Sequence, residues 1–152
     1  MGTFNRLCLA LVIPLLLGSG LAAQETVEQH EPSIFIDDTD VDIDSFLWTH
    51  RPIVVFADSE NDPRFIKQIE LLNALPEELR LRDVVVLTDT DPSAKSALRT
   101  KLRPRGFMFV LIGKDGTVYL RKPLPWNVRE ITRSIDKLPM RQQEIRDRRV
   151  IQ

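Results

Sequence analysis

The sequence predicts an α/β domain with a mixed sheet, built as a βαβ unit followed by a ββα unit in a three-layer sandwich. Three observations carry this. Three apolar runs rich in β-branched or aromatic residues, Pro52 to Ala57, Val84 to Leu87 and Phe107 to Ile112, read as strands buried on both faces. A stretch with helical apolar spacing, Pro63 to Ala74, separates the first two. Lys114-Asp115-Gly116 follows the third run as a hairpin turn, because Asp-Gly tolerates the positive φ of a tight turn.

The N-terminus reads as a signal peptide over residues 1–23. Arg6 gives a positive start, Leu7 to Leu17 an apolar run, and Gly18 to Ala23 small residues for cleavage after Ala23 or Ala22. A bilayer-spanning helix needs about 20 apolar residues, and no later run qualifies. The expectation is therefore export to the periplasm or beyond, with no transmembrane segment left after cleavage. Cys8 lies at the start of the apolar run, where a lipid-attachment cysteine does not belong.

Residues 24–44 form an acidic arm. Gln24 to His50 carries eight acids and no Lys or Arg, whereas Arg51 onward holds 20 Lys and Arg against 14 Asp and Glu. Gln24 to Pro32 is too polar to offset the cost of ordering, so a flexible linker is expected. Ser33 to Ile36 can form a short strand. The alternating acids of Asp38 to Asp44 suit an exposed edge strand or turn. Ser45 to Trp48 is expected as one helical turn packed on the body.

The main domain is placed at 45–152. Pro52 to Ala57 opens the core, and the turn Asp58 to Pro63 leads into a helix with Asn61 or Asp62 as N-cap and Pro63 at the first position. Phe65, Ile66, Ile69, Leu72 and Leu75 are its expected buried face, and Pro76 ends or kinks it. Asp83 to Asp89 is the second strand. Asp91-Pro92-Ser93 is expected to start a helix through Leu102. Phe107 to Ile112 and Thr117 to Arg121 make the hairpin. Trp126 to Leu138 is a helix broken at Pro139, and Arg141 to Arg149 a short charged one.

This order of elements is similar to that of a thioredoxin-like domain. Phe109 to Val118, with its apolar strand and Lys-Asp-Gly turn, resembles the corresponding thioredoxin hairpin. From about Trp48 to Arg149 the chain also resembles a domain of unknown function found in small exported bacterial proteins and in vertebrate sushi-repeat extracellular-matrix proteins, the P-DUDES group. The residues concerned are Arg51 to Ala57, Asp62-Pro63-Arg64, Gln68, Asp83 to Val86, Leu111 to Gly116 and, most specifically, Ile135 to Glu144. This resemblance implies a thioredoxin-like fold and export, without an established activity. The departures from thioredoxin matter: Asp58 to Asp62 stand where an active-site cysteine pair would be, and the cis-proline position falls near Phe107 or Met108.

Cys8 is the only cysteine. Removing the leader removes every thiol, so thiol oxidoreductase activity, disulfides and cysteine-metal sites are not expected. The chemistry-bearing candidates are then few. Asp58, Glu60, Asp62 and Arg64 lie at the carboxyl end of a core strand, where α/β folds bind ligands. They suit a cation or polar ligand, or a carboxylate pair doing acid–base work. A capped, solvated loop is the favoured alternative. Arg99, Lys101, Arg103 and Arg105 are candidates for an anionic partner, as are Arg141, Arg146, Arg148 and Arg149, against the plainer reading of solvated helix faces with pairs such as Glu144 with Arg148. The acids from Asp38 fail the calcium-loop pattern, with Ile43 and Thr49 where Gly and Glu belong. His30 and His50 lie far from any ligand cluster. No nucleophile elbow or phosphate-cradling glycine loop is present.

These features favour an exported, redox-inactive module that binds a protein, a polysaccharide or an anionic envelope surface. Neither a cofactor, a metal nor nucleic acid is expected. The alternative is a cysteine-independent enzyme using the loop from Asp58 to Asp62. A third possibility is a structural envelope protein acting through its charged ends.

Overall fold

The structure is a computed structural model that describes residues 33–36 and 41–150. Leader and linker, like Asp37 to Asp40, lie outside the described residues. Five strands form one sheet: β1 (Phe35–Ile36), β2 (Arg51–Phe56), β3 (Val84–Asp89), β4 (Met108–Ile112) and β5 (Val118–Lys122). Their order is β1-β3-β2-β4-β5. The first three run parallel, and β4 and β5 join antiparallel. The β2–β3 crossover holds α1 (Pro63–Ala74) and α2 (Pro76–Arg80). Then come α3 (Ala97–Leu102) before β4, and α4 (Val128–Asp136) and α5 (Pro139–Val150) after β5. This is the expected βαβ unit followed by a ββα unit.

Alternation along β2 makes the three layers. Ile53 and Val55 meet Leu72 of α1, Leu79 of α2, and Val128, Ile131 and Ile135 of α4. Val54 and Phe56 meet Leu98 and Leu102 of α3 on the opposite face, with Ile43 from a 3-10 turn over Ile43–Phe46. Successive strand residues point to opposite faces, so a run buried throughout must be covered twice.

Several expectations change. The fold begins before Ser45. Ile34 is buried in the main core, its carbonyl accepts from Val86 N at 2.8 Å, and β1 pairs with β3. Ile43 is also buried. Residues 34–36 and 43 thus belong to the sheet and its cover, not to a detached arm.

The buried line of α1 is Gln68 and Leu72, flanked by Phe65 and Ile69, while Ile66 is 55 % exposed. Ile66 lies about 100° around the helix from Phe65 and so falls off that face.

The expected second helix splits. Asp91 caps a 3-10 turn over Pro92–Ala94, Lys95 adopts φ +48°, and Ser96 caps α3 through Arg99 N. Asn127 caps α4, which leaves Trp126 outside the helix. Pro139, expected only as a breaker, also opens α5, where its missing N–H costs nothing.

Candidate functional site

The segment from Asp58 to Arg64 spans the loop after β2 and the start of α1. Asp62 is the α1 N-cap: its Oδ1 accepts from Arg64 N at 2.8 Å. Arg64 then turns back on the same carboxylate, with Nε donating to Oδ1 at 3.1 Å and Nη2 to Oδ2 at 2.7 Å. Its guanidinium lies over the Phe107 ring, 5.5 Å from the centroid. The Arg64 side-chain bond holds the Asp62 carboxyl below its usual pKa, and the same bond raises that of Arg64.

Asp58 is different. Its side chain is 63 % exposed, and the nearest cation is Arg99 Nη1 at 3.9 Å. Asp58, Ser59, Asn61, Asp62, Pro63 and Arg64 line an open depression, which Glu60 does not join. The structure therefore brings together three of the four predicted residues. Two of them, Asp62 and Arg64, already satisfy each other. A paired carboxylate with a lowered pKa is a poor general base, which counts against acid–base work by this loop.

The predicted basic patch is not one patch. Arg99 points inward, with its side chain only 10 % exposed. Its Nε donates to Asp89 Oδ1 at 2.7 Å, its Nη2 to Ala57 O at 2.5 Å, and it lies over the Phe56 ring. Ser96 Oγ donates to the other Asp89 oxygen. Arg99 is thus a bolt between the ends of β2 and β3. Lys101 pairs with Asp44. Arg103 and Arg105 are exposed and make no ion pair among the described residues.

Sequence reasoning missed the largest polar assembly, at the opposite end of β2. Arg51 is 1 % exposed; its Nη1 donates to Arg82 O at 2.9 Å and its Nη2 to Glu144 Oε1 at 2.7 Å. Lys114 reaches both Asp83 (2.8 Å) and Glu144 (3.0 Å). Arg141, buried at the start of α5, joins Glu144 to Asp136, which Arg82 also holds. Burial alone would raise the Glu144 pKa, but hydrogen bonds from Arg51, Lys114 and Arg141 bring it to about 2. Glu144 therefore turns inward instead of pairing with Arg148, and Arg141 drops out of the C-terminal basic cluster. One signal was available: Arg51, Asp83, Lys114 and Glu144 all lie in the segments whose wording carried the family resemblance.

Of the acids from Asp38, Asp42 caps the 3-10 turn and Asp44 meets Lys101. His50 is exposed, with its ring edge-on to Phe46. Among the described residues no cluster of three His, Cys, Asp or Glu could hold a metal ion, and no helix is long and apolar enough to cross a membrane.

Comparison with curated proteins gave no match. Among solved structures, the chain is similar to the reduced 2-Cys peroxiredoxin of Plasmodium vivax, with a TM-score of 0.56 and 15 % identity over 68 % of this chain and 85 % of that one. It is also similar to thioredoxin peroxidase I of Plasmodium yoelii, with a TM-score of 0.52 and 19 % identity over 68 % of this chain and 80 % of that one. At such identities the likeness establishes the fold, which is thioredoxin-like α/β, and not the chemistry. The DUF4174 sequence profile matches residues 42–144, from the acid that caps the 3-10 turn to the glutamate at the centre of the ion-pair assembly, and the chain belongs to this family, a domain of unknown function.

Proposed function

We propose that this protein is an exported, redox-inactive thioredoxin-like module whose task is binding. One observation carries the reading: from Leu9 to Gln152 the chain has no cysteine. Thiol peroxidases and thioredoxins act through a thiolate, so this scaffold lacks the reacting atom. What stands at the carboxyl end of β2 is instead an open depression with Asp58 exposed at its rim, 3.9 Å from Arg99. The leader-like residues 1–23 and the resemblance of Arg51 to Glu144 to the P-DUDES group support export to the periplasm or the exterior. Arg103 and Arg105, without an ion pair among the described residues, favour an anionic partner, protein, polysaccharide or envelope surface. Insulin-reduction and peroxide-consumption assays on the exported protein test the reading. Background rates are expected, and clear turnover would overturn it.

A further inference from the structure

Arg99 is a buried cation with one donor left over. Its Nε and Nη2 are taken by Asp89 and by the carbonyls of Ala57 and Asp89. Its Nη1 makes no hydrogen bond among the described residues. The nearest acceptor is Asp58 Oδ1 at 3.9 Å, beyond hydrogen-bond reach. A guanidinium keeps its charge at any ordinary pH, so this Nη1 stays a charged donor open to an acceptor from outside the fold.

Arg64 presents the same edge. Asp62 holds its Nε and Nη2, and Phe107 supports the face of the guanidinium, which leaves its Nη1 without a hydrogen bond among the described residues. The Asp58 carboxylate lies close enough to contribute to the raised Arg64 pKa, after the larger effects of Asp62 and of burial. Asp58 thus lies beside Arg99 and lines one depression with Arg64. Gly106 borders Asp58: it sits at φ +59°, and a Cβ there would stand 3.8 Å from Asp58 Oδ2.

We propose that Arg64 and Arg99 form a seat for a small oxyanion, a carboxylate or a phosphate, in which Asp58 is a loosely held internal occupant. Asp62 and Asp89 each satisfy part of one guanidinium and fix its orientation. The open Nη1 groups then act as the two donors of the seat, in charge-assisted bonds of the kind that carboxylate and phosphate accept. Binding requires Asp58 to swing outward, which its exposure permits. The seat gives a ligand class to the binding reading above and rests on it.

The test is an NMR titration of the purified protein with inorganic phosphate, sulfate and acetate at constant ionic strength, the balance made with chloride. Saturable shifts are expected at the amides of Asp58, Asn61 and Gly106 and at the Arg99 Nε–H. The acetate and phosphate arms separate a carboxylate seat from a tetrahedral one. Asp58→Ala removes the internal occupant and should tighten binding about fivefold, the worth of a half-exposed ion pair. Arg64→Gln should weaken it by a similar factor, with thermal unfolding confirming that the variant is folded. Arg99 is left in place because it supports Asp89. An Asp58→Ala protein with no saturable shift, or with affinity no better than the parent, overturns the seat, as does undiminished binding by Arg64→Gln. Running the peroxide assay on the same samples keeps the two ideas apart. Turnover would defeat the redox-inactive reading, whereas absent shifts without turnover would defeat the seat alone.

Discussion

Arg51, the first residue of β2, donates from Nη2 to Glu144 Oε1 at 2.7 Å across 93 residues of sequence. That bond fastens α5 to the amino end of the central strand. Arg51 and Glu144 do not act alone: Lys114 from the hairpin and Arg141 from α5 converge on the same carboxylate. Three cations around one acid would repel each other without it. Glu144 is therefore the keystone of the assembly, and Asp83 and Asp136 balance the remaining charge.

Replacing Glu144 by Gln should destabilise the fold by roughly 3 kcal/mol, since it leaves the buried Arg51 without a hydrogen-bonded counter-ion. Urea unfolding of the variant measures this. A loss under about 0.5 kcal/mol would show that α5 is only loosely attached, as for an ordinary surface pair.

The same residue sets an acid limit. Its folded pKa of about 2 lies below the ordinary glutamate value of 4.5, so its contribution is fully present above that value. It is lost as pH falls from about 4.5 towards 2. With one-fifth of the side chain exposed, solvent screening trims the effect to about 2 kcal/mol. Stability measured against pH should fall across this window in the parent and more gently in Glu144→Gln. Parallel curves would refute the assignment.

Gln68 is fully buried on α1 and clamps the backbone of Trp126: its Nε2 donates to Trp126 O at 3.0 Å, and its Oε1 accepts from Trp126 N at 2.7 Å. Gln68→Ala leaves both backbone groups unpaired in the interior and should cost about 2–4 kcal/mol. Gln68→Glu should cost at least as much, because it replaces the donor with a buried charge. Thermal unfolding of the two variants checks the order.

Asp89 and Arg99 form a buried pair at the other end of β2. Asp89→Asn alone strands the guanidinium and should cost about 3–5 kcal/mol. Combining Asp89→Leu with Arg99→Met removes both charges and should recover much of that loss. A double variant as unstable as the single one would mean that the pair contributes net stability of its own.

The legible parts of this fold were those written by local pattern. β2, β3 and β4 announce themselves as continuous apolar runs, Asp62-Pro63 marks the start of α1, and Asp115-Gly116 marks the hairpin. The two ion-pair assemblies were not legible, because their members come from three to five separate segments and look like solvated surface charge one at a time. Arg99 and Arg141 show the failure most plainly. Each sits in a basic run that reads as exposed, yet Arg99 is turned inward by Asp89, ten residues away, and Arg141 by Glu144, an i,i+3 neighbour whose burial the spacing does not reveal. Gln68 likewise breaks the apolar periodicity of α1 because its partner is backbone on a distant loop. At the candidate site, Asp58 and Arg64 stand close in sequence at the β2–α1 junction, so their nearness was legible, while the approach of Arg99 from α3 needed the tertiary structure.

Part of the acidic segment holds the fold. Ile34 is buried in the main core, and β1 lies along Val86 and Leu87 of β3. Deleting residues 24–36 should therefore uncover that edge of the sheet and remove the apolar contacts of Ile34 and Phe35. Full burial of one such aliphatic side chain is worth about 1.5–3 kcal/mol, so a loss of roughly 3 kcal/mol is expected with the lost backbone bonds included. Deleting only residues 24–32 removes Glu25, Glu28 and Glu31 and little apolar surface, and should leave the melting temperature nearly unchanged. Its effect should appear in binding instead, as stronger retention on an anionic surface at low salt, fading as salt screens the exposed arginines. Equal stability for the two deletions would show that β1 contributes nothing to the sheet. A large loss from the shorter deletion would place part of residues 24–32 in the folded core.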